Sequence, residues 1–152
     1  MRNLRINQMN KLKLLFTNEE LFPGSKDWVL LLLRAIPSLF LFFNHGMDKI
    51  TAGTETWVGL GGAVLSIVGI SFGHVLFGFL AALSEGVMTW LVLVGFKTRL
   101  ASFFVMMTMF FAGIYHISGG ENPESAFIYF VVYFTLFLRG PGQFSIDAKI
   151  DA

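Results

Sequence analysis

Four long apolar runs, each nearly free of charge, constrain this chain more than any motif does. They fall at 27–48, 74–95, 98–118 and 122–139. At ~1.5 Å of helix rise per residue, runs of about 20 residues cross roughly 30 Å of hydrocarbon, and the last run only just does so. Inside hydrocarbon every backbone N–H and C=O must find a partner within its own segment, so such runs are helices. Composition agrees, because 55% of the 152 residues are hydrophobic and 18 are Phe, against 14% charged, a balance outside the range of soluble domains. The expected fold class is all-α: a single four-transmembrane-helix bundle.

Orientation follows from basic residues near the helix ends, since basic loops stay cytoplasmic. With the N-terminus inside, Arg2, Arg5, Lys11, Lys13, Lys26, Lys97, Arg99, Arg139 and Lys149 share the cytoplasmic side, and only Lys49 lies opposite. Both termini are thus expected in the cytoplasm, in a multi-pass protein of a bacterial inner membrane. Residues 1–26 read as a basic cytoplasmic arm, 27–139 as the membrane domain and 140–152 as a cytoplasmic tail that begins where Gly140, Pro141 and Gly142 stop the last helix. The arm has no apolar core long enough for a cleavable signal, so the first span is expected to direct its own insertion. Between spans one and two, "TAGTETWVGLGGAVLSIVGISFG" is glycine-rich and interrupted; Trp57, Leu60, Val64, Leu65 and Val68 predict a short interfacial helix, with a fifth span as the alternative that its length allows. Only "KT" separates span two from Arg99, which predicts a tight antiparallel hairpin.

A net charge of +1 gives no basis for a nucleic-acid partner, and the absence of cysteine excludes dithiol relays, Cys-ligated clusters and CxxC zinc sites. What remains is a small set of polar groups within the spans. An ionisable side chain in hydrocarbon costs about 2.5–3.5 kcal/mol on insertion scales, so each is a functional candidate with a partner to find. Arg34, ~10 Å into span one, and Glu85, ~15 Å into span two from the same side, are expected to form an ion pair. That pair serves either as a packing device or as the polar lining of a catalytic pocket, with Tyr129 and Tyr133 at similar depth. His45, His74 and His116 come to one height near the outer face. A metal or haem is the weaker reading of them, because no two share the i, i+4 spacing of a local ligand pair; no metal site is assigned. In "LFFNHGMDKI", Gly46 permits close helix approach and Lys49 can snorkel to the interface. His45, Lys49, His116 and Glu121 then form a rim above the buried charges, suited to the carbonyls of a quinone.

These residues also carry a family resemblance. Arg34 followed by "NHGMDKI", Glu85 followed by "LVLVGFKTRLAS", His116 after a Met-rich span and the closing "RGPGQFSID" together resemble the DoxX family of small four-helix membrane proteins over roughly residues 28–147. The matching positions are Arg34, His45, Gly46, Lys49 and Glu85, then Gly95, Thr98, Arg99 and His116, then Gly140, Pro141, Gly142 and Asp147. Pro37 stands where a small residue is expected, and "EGVMTW" is less glycine-rich than the usual stretch. The resemblance implies an association with quinone-linked oxidoreductases of the respiratory chain, while most members have no established reaction.

Two readings are open. In the first, the chain is a quinone-interacting subunit of a membrane redox system, with Glu85 and Arg34 as the catalytic pair and His45, Lys49, His116 and Tyr129 binding the cofactor. Without cysteines or a flavin motif, its electrons would come from haem, a metal or another subunit. In the second, it is a noncatalytic accessory subunit stabilising a larger membrane complex. Partners in either case are the bilayer and other membrane subunits, and the residues leave open whether the chain is itself an enzyme. Transport is a poorer fit, since no internal repeat offers alternating access.

Overall fold

The computed structural model describes residues 22–150. Among them are six helices and no strand: α1 (Ser25–Thr51), α2 (Thr54–Ile67), α3 (His74–Val94), α4 (Thr98–Ser118), α5 (Glu124–Arg139) and α6 (Ile146–Ile150). Most of the expected N-terminal arm, residues 1–21, lies outside the described residues. Helices α1, α3 and α4 have 27, 21 and 21 residues and are long and apolar enough to cross a membrane. The fourth apolar run forms a helix of 16 residues, ~24 Å of rise, that packs along α4.

Several polar side chains are buried in the interior, and many large apolar ones face outward. On α1 the buried stripe is Leu30, Arg34, Ser38 and Leu41, spaced as successive turns of one helix face. Leu32, Ile36, Phe40 and Phe43 on the other faces are half exposed, as suits contact with lipid tails. Leu41, Val92, Ala101, Val105, Tyr133 and Leu136 form the central core. A hydrogen bond of 3.0 Å between the hydroxyls of Ser38 and Tyr133 ties α1 to α5.

Helix α2 has 14 residues, in keeping with the expected short helix. It rests on α3 through two glycines that bring backbones into contact: a Cβ on Gly61 would strike the carbonyl of His74, and one on Gly78 the carbonyl of Trp57. Trp57 then donates its indole N–H to the carbonyl of Lys49 at 2.9 Å and packs its ring on Phe79. Between α2, α3 and α4 lies an apolar cleft of about 280 Å³, lined by residues such as Leu65, Leu80, Phe104 and Phe111.

The expected hairpin is present, with α3 and α4 joined through Gly95, at φ +73°, and Lys97, at φ +47°. The segment expected as a tail from residue 140 onward packs back on the helix ends. After Arg139, Gly140 and Gly142 adopt φ of +85° and +78°, turning the chain back across the helix ends. Gln143 donates its N–H to the Asp27 carboxylate at 2.9 Å, and Asp147 reaches the α3–α4 turn. Residues 140–150 are thus part of the bundle, because the glycines that end α5 also supply the reversal that docks the C-terminal segment.

The close approach of α2 to α3 gives a direct expectation. Gly78→Val forces a side chain into the Trp57 backbone and should destabilise by about 1–3 kcal/mol, lowering the thermal midpoint in detergent. Gly62→Ala, where a Cβ meets nothing within 4 Å, should leave the midpoint undiminished.

Candidate functional site

Side chains on a helix lean toward its N-terminus, and that lean decides which charges meet. Helix α1 starts at the Lys97/Arg139 end, so Lys49, late in α1, leans back into the bundle. Helix α3 runs the opposite way, so Glu85 leans toward the His74 end and meets it. Lys49 Nζ lies 2.7 Å from both carboxylate oxygens of Glu85. The Glu85 side chain is only 3% exposed, and that of Lys49 27%. Lys49 therefore does not snorkel outward as expected: a buried carboxylate without a cation costs several kcal/mol, and this lysine is the group that neutralises it.

Both helices are distorted here. Helix α1 widens into a π turn at Phe42–Gly46 and α3 at Ser84–Met88, and the two turns pack side by side. Such turns are rare and gather at functional positions. Gly46 lies directly on the backbone of Glu85 and Gly86, with no room for a Cβ, which is the close approach anticipated for it. The Thr89 hydroxyl lies 2.8 and 2.9 Å from the carbonyls of Glu85 and Gly86 and donates between them. Sequence reasoning passed over Thr89; the available signal was a hydroxyl one helical turn after an intramembrane acid.

Beside the ion pair is a cavity of about 70 Å³, bounded by Leu41, His45, Lys49, Glu85, Met109, Ala112, His116, Ser125, Ala126 and Tyr129. All four residues expected to bind a cofactor line it: His45 from the π turn of α1, Lys49 beyond it, His116 from the end of α4 and Tyr129 from α5. Ser125 adds a hydroxyl that the sequence did not single out. His116 Nδ1 is 2.5 Å from Glu121 Oε2, which orients the ring at the rim. His74 does not line the cavity, and among the described residues no three of His, Asp and Glu are grouped as metal ligands would be. The arrangement offers cationic and hydroxyl donors around one carboxylate acceptor, in space that holds a few waters or a small polar group.

Arg34 is elsewhere, and the expected Arg34–Glu85 ion pair is not formed. Near the start of α1, its lean carries it toward the Lys97/Arg139 end, away from Glu85. Its Nη2 donates to the Phe144 carbonyl at 2.6 Å, and its guanidinium presses on Gly95, where a Cβ would collide with Nη1. Nε and Nη1 are buried without a hydrogen-bond partner among the described residues. Arg34 is thus a clamp holding the docked C-terminal segment.

Asp147 completes that clamp. Its carboxylate accepts from the N–H of Lys97 at 2.7 Å, and from the N–H and hydroxyl of Thr98 at 2.9 and 2.8 Å, capping the start of α4. Its own N–H donates to the Gly95 carbonyl at 2.8 Å. Burial pushes the Asp147 carboxyl up, but the hydrogen bonds from Thr98 and Lys97 and the Lys97 charge outweigh it, and the pKa lies below the ordinary 3.8.

Eleven of the thirteen motif positions therefore sort into two separate sets, and Arg99 and Pro141 line a cleft at the Lys97/Arg139 end. His45, Gly46, Lys49, Glu85 and His116 build the cavity; Arg34, Gly95, Thr98, Gly140, Gly142 and Asp147 build the clamp. This pairing of a charged, π-distorted helix contact with apolar helices of spanning length defines a small integral membrane protein. A DoxX family profile matches residues 29–117, more than half of the chain, and the protein belongs to the DoxX family. No curated protein and no solved structure matches it.

Two measurements probe these sets. Lys49→Met strands a buried carboxylate and should destabilise by about 3–5 kcal/mol in thermal unfolding, with the Lys49→Met/Glu85→Gln double variant recovering much of the loss. For Asp147, whose folded pKa is depressed, the stabilisation is complete above the unfolded value of ~3.9 and is lost as pH falls through the folded pKa. Asp147→Asn should lower the midpoint at neutral pH and erase that acid limb.

Proposed function

We propose that this DoxX-family membrane protein is a quinone-interacting subunit of a membrane redox system, with a headgroup carbonyl received at the Lys49–Glu85 cavity. The observation that carries the reading is the Glu85 carboxylate, held by Lys49 at 2.7 Å and facing a cavity rimmed by His45, His116 and Tyr129. A quinone carbonyl needs donors, which Lys49, the histidines and Tyr129 supply. Proton exchange with its reduced form needs an ionisable group nearby, and Glu85 is the one buried carboxylate among the described residues. Arg34, engaged with Phe144, has no part in this site.

Size sets how the headgroup binds. The cavity of about 70 Å³ is smaller than the roughly 150 Å³ that takes a benzene ring. A headgroup therefore engages its mouth, or enters as the partly exposed Lys49 swings aside. On the bias of basic residues, the Lys97/Arg139 end faces the cytoplasm and the cavity lies toward the outer leaflet of a bacterial inner membrane. With no cysteine in the chain, thiol relays and Cys-ligated clusters are out, and the electrons come from haem, another metal centre or a partner subunit.

The test is purification in mild detergent, organic extraction and chromatography of bound lipophilic molecules, for the wild type and Glu85→Gln. The expected result is near-stoichiometric quinone in the wild type and a loss of tenfold or so in the variant, at unchanged fold. An extract free of quinone, with other subunits still co-purifying, would replace this reading with that of an accessory subunit.

A further inference from the structure

At the opposite end from Glu85 lies a larger and more strongly charged cavity. It measures about 550 Å³ and is formed by the α3–α4 turn, the end of α5 and the docked segment. Among the described residues, three cations, Lys97, Arg99 and Arg139, line it against one carboxylate, Asp147. That carboxylate is already engaged by Lys97 N–H and by Thr98, so its acceptors are turned to the helix start. Arg99 Nη1 donates to the Phe137 carbonyl at 3.1 Å, which fixes its guanidinium and leaves further donors unspent. Arg139 is exposed as the last residue of α5.

We propose that this cleft binds a phosphate group, of the kind carried by an anionic phospholipid headgroup or by a soluble phosphate ester. The volume lies within the range of small-molecule sites, about 300–1,000 Å³. Guanidinium groups present forked donors that match phosphate oxygens, and two of the three cations are arginines. Position favours the lipid as source, because the cleft sits where α3 and α5 end and α4 begins, the level at which headgroups meet helix ends. Basic pockets between helix ends are the usual seat of anionic headgroups. Nothing in this inference depends on quinone binding at the other end.

The full-length protein in detergent would be titrated with dioleoyl phosphatidylglycerol, dioleoyl phosphatidylcholine or inorganic phosphate, reading the thermal midpoint, with native mass spectrometry counting retained lipid. Phosphatidylglycerol should raise the midpoint where phosphatidylcholine does not. Arg139→Gln should weaken that response about fivefold, the share of one cation near an anionic surface, and Arg139→Lys should keep most of it. Lys149→Gln, exposed at the same end but outside the cleft, should change nothing. A response to phosphatidylglycerol alone assigns the lipid as source; an equal response to inorganic phosphate at the same concentration assigns a soluble ester. Equal responses to the two lipids with none to phosphate, an unaltered response in Arg139→Gln, or an equal loss in Lys149→Gln would overturn the proposal.

Discussion

A carboxylate in hydrocarbon has no water to stabilise it, and the neutralisation of Glu85 by Lys49 is the constraint on which much of this structure depends. For a cation on α1 to reach both oxygens of an acid on α3, the two helices must touch at that level. Gly46 permits the contact by presenting no side chain to the Glu85 backbone. The π turns on either side reset the helical phase so that charge faces charge, and Thr89 attends to the carbonyls that the widened turn leaves short of donors. The cavity is then the space that two distorted helices leave beside α4 and α5.

The second organising element works by different means. Arg34 is deeply buried, yet its hydrogen bond goes to a main-chain carbonyl and its guanidinium rests on the bare surface of a glycine, with the Asp147 charge acting on it from beyond hydrogen-bond range. A guanidinium spreads its charge over a plane and tolerates such partners better than an ammonium would. The two intramembrane cations thus serve opposite ends: Lys49 sustains the charge of the cavity, and Arg34 seals the closure of the bundle.

Much of the fold was legible in the sequence, because run length and hydropathy report directly on what the bilayer requires. The bounds of α3 and α4, the short α2 and the tight hairpin all came from where charge and glycine interrupt apolar runs. The lining of the cavity was partly legible too: His45, Lys49 and His116 were read near the outer end and Tyr129 at the depth of Glu85, and all four border that space. Azimuth and lean were not. Depth along a helix placed Arg34 and Glu85 at compatible levels, but a spacing rule cannot say that the two helices tilt their side chains in opposite directions. The docked segment was missed because Gly140, Pro141 and Gly142 were read as a stop signal, whereas the positive φ of both glycines makes the stretch a reversal. The π turns leave no periodic trace in five residues.

The clamp also bears on how such a chain comes to be. The cap on the start of α4 is supplied by a residue 49 positions downstream, and the acceptor for Arg34 by one 110 positions downstream. Translation delivers the chain from its N-terminus, so α1, α3 and α4 are made before either partner exists. A nascent chain that has grown only as far as Arg139 holds an arginine without its carbonyl and a helix start without its cap. Residues made after Arg139 are thus the ones that complete helices begun long before them, and closure of the bundle waits on their arrival.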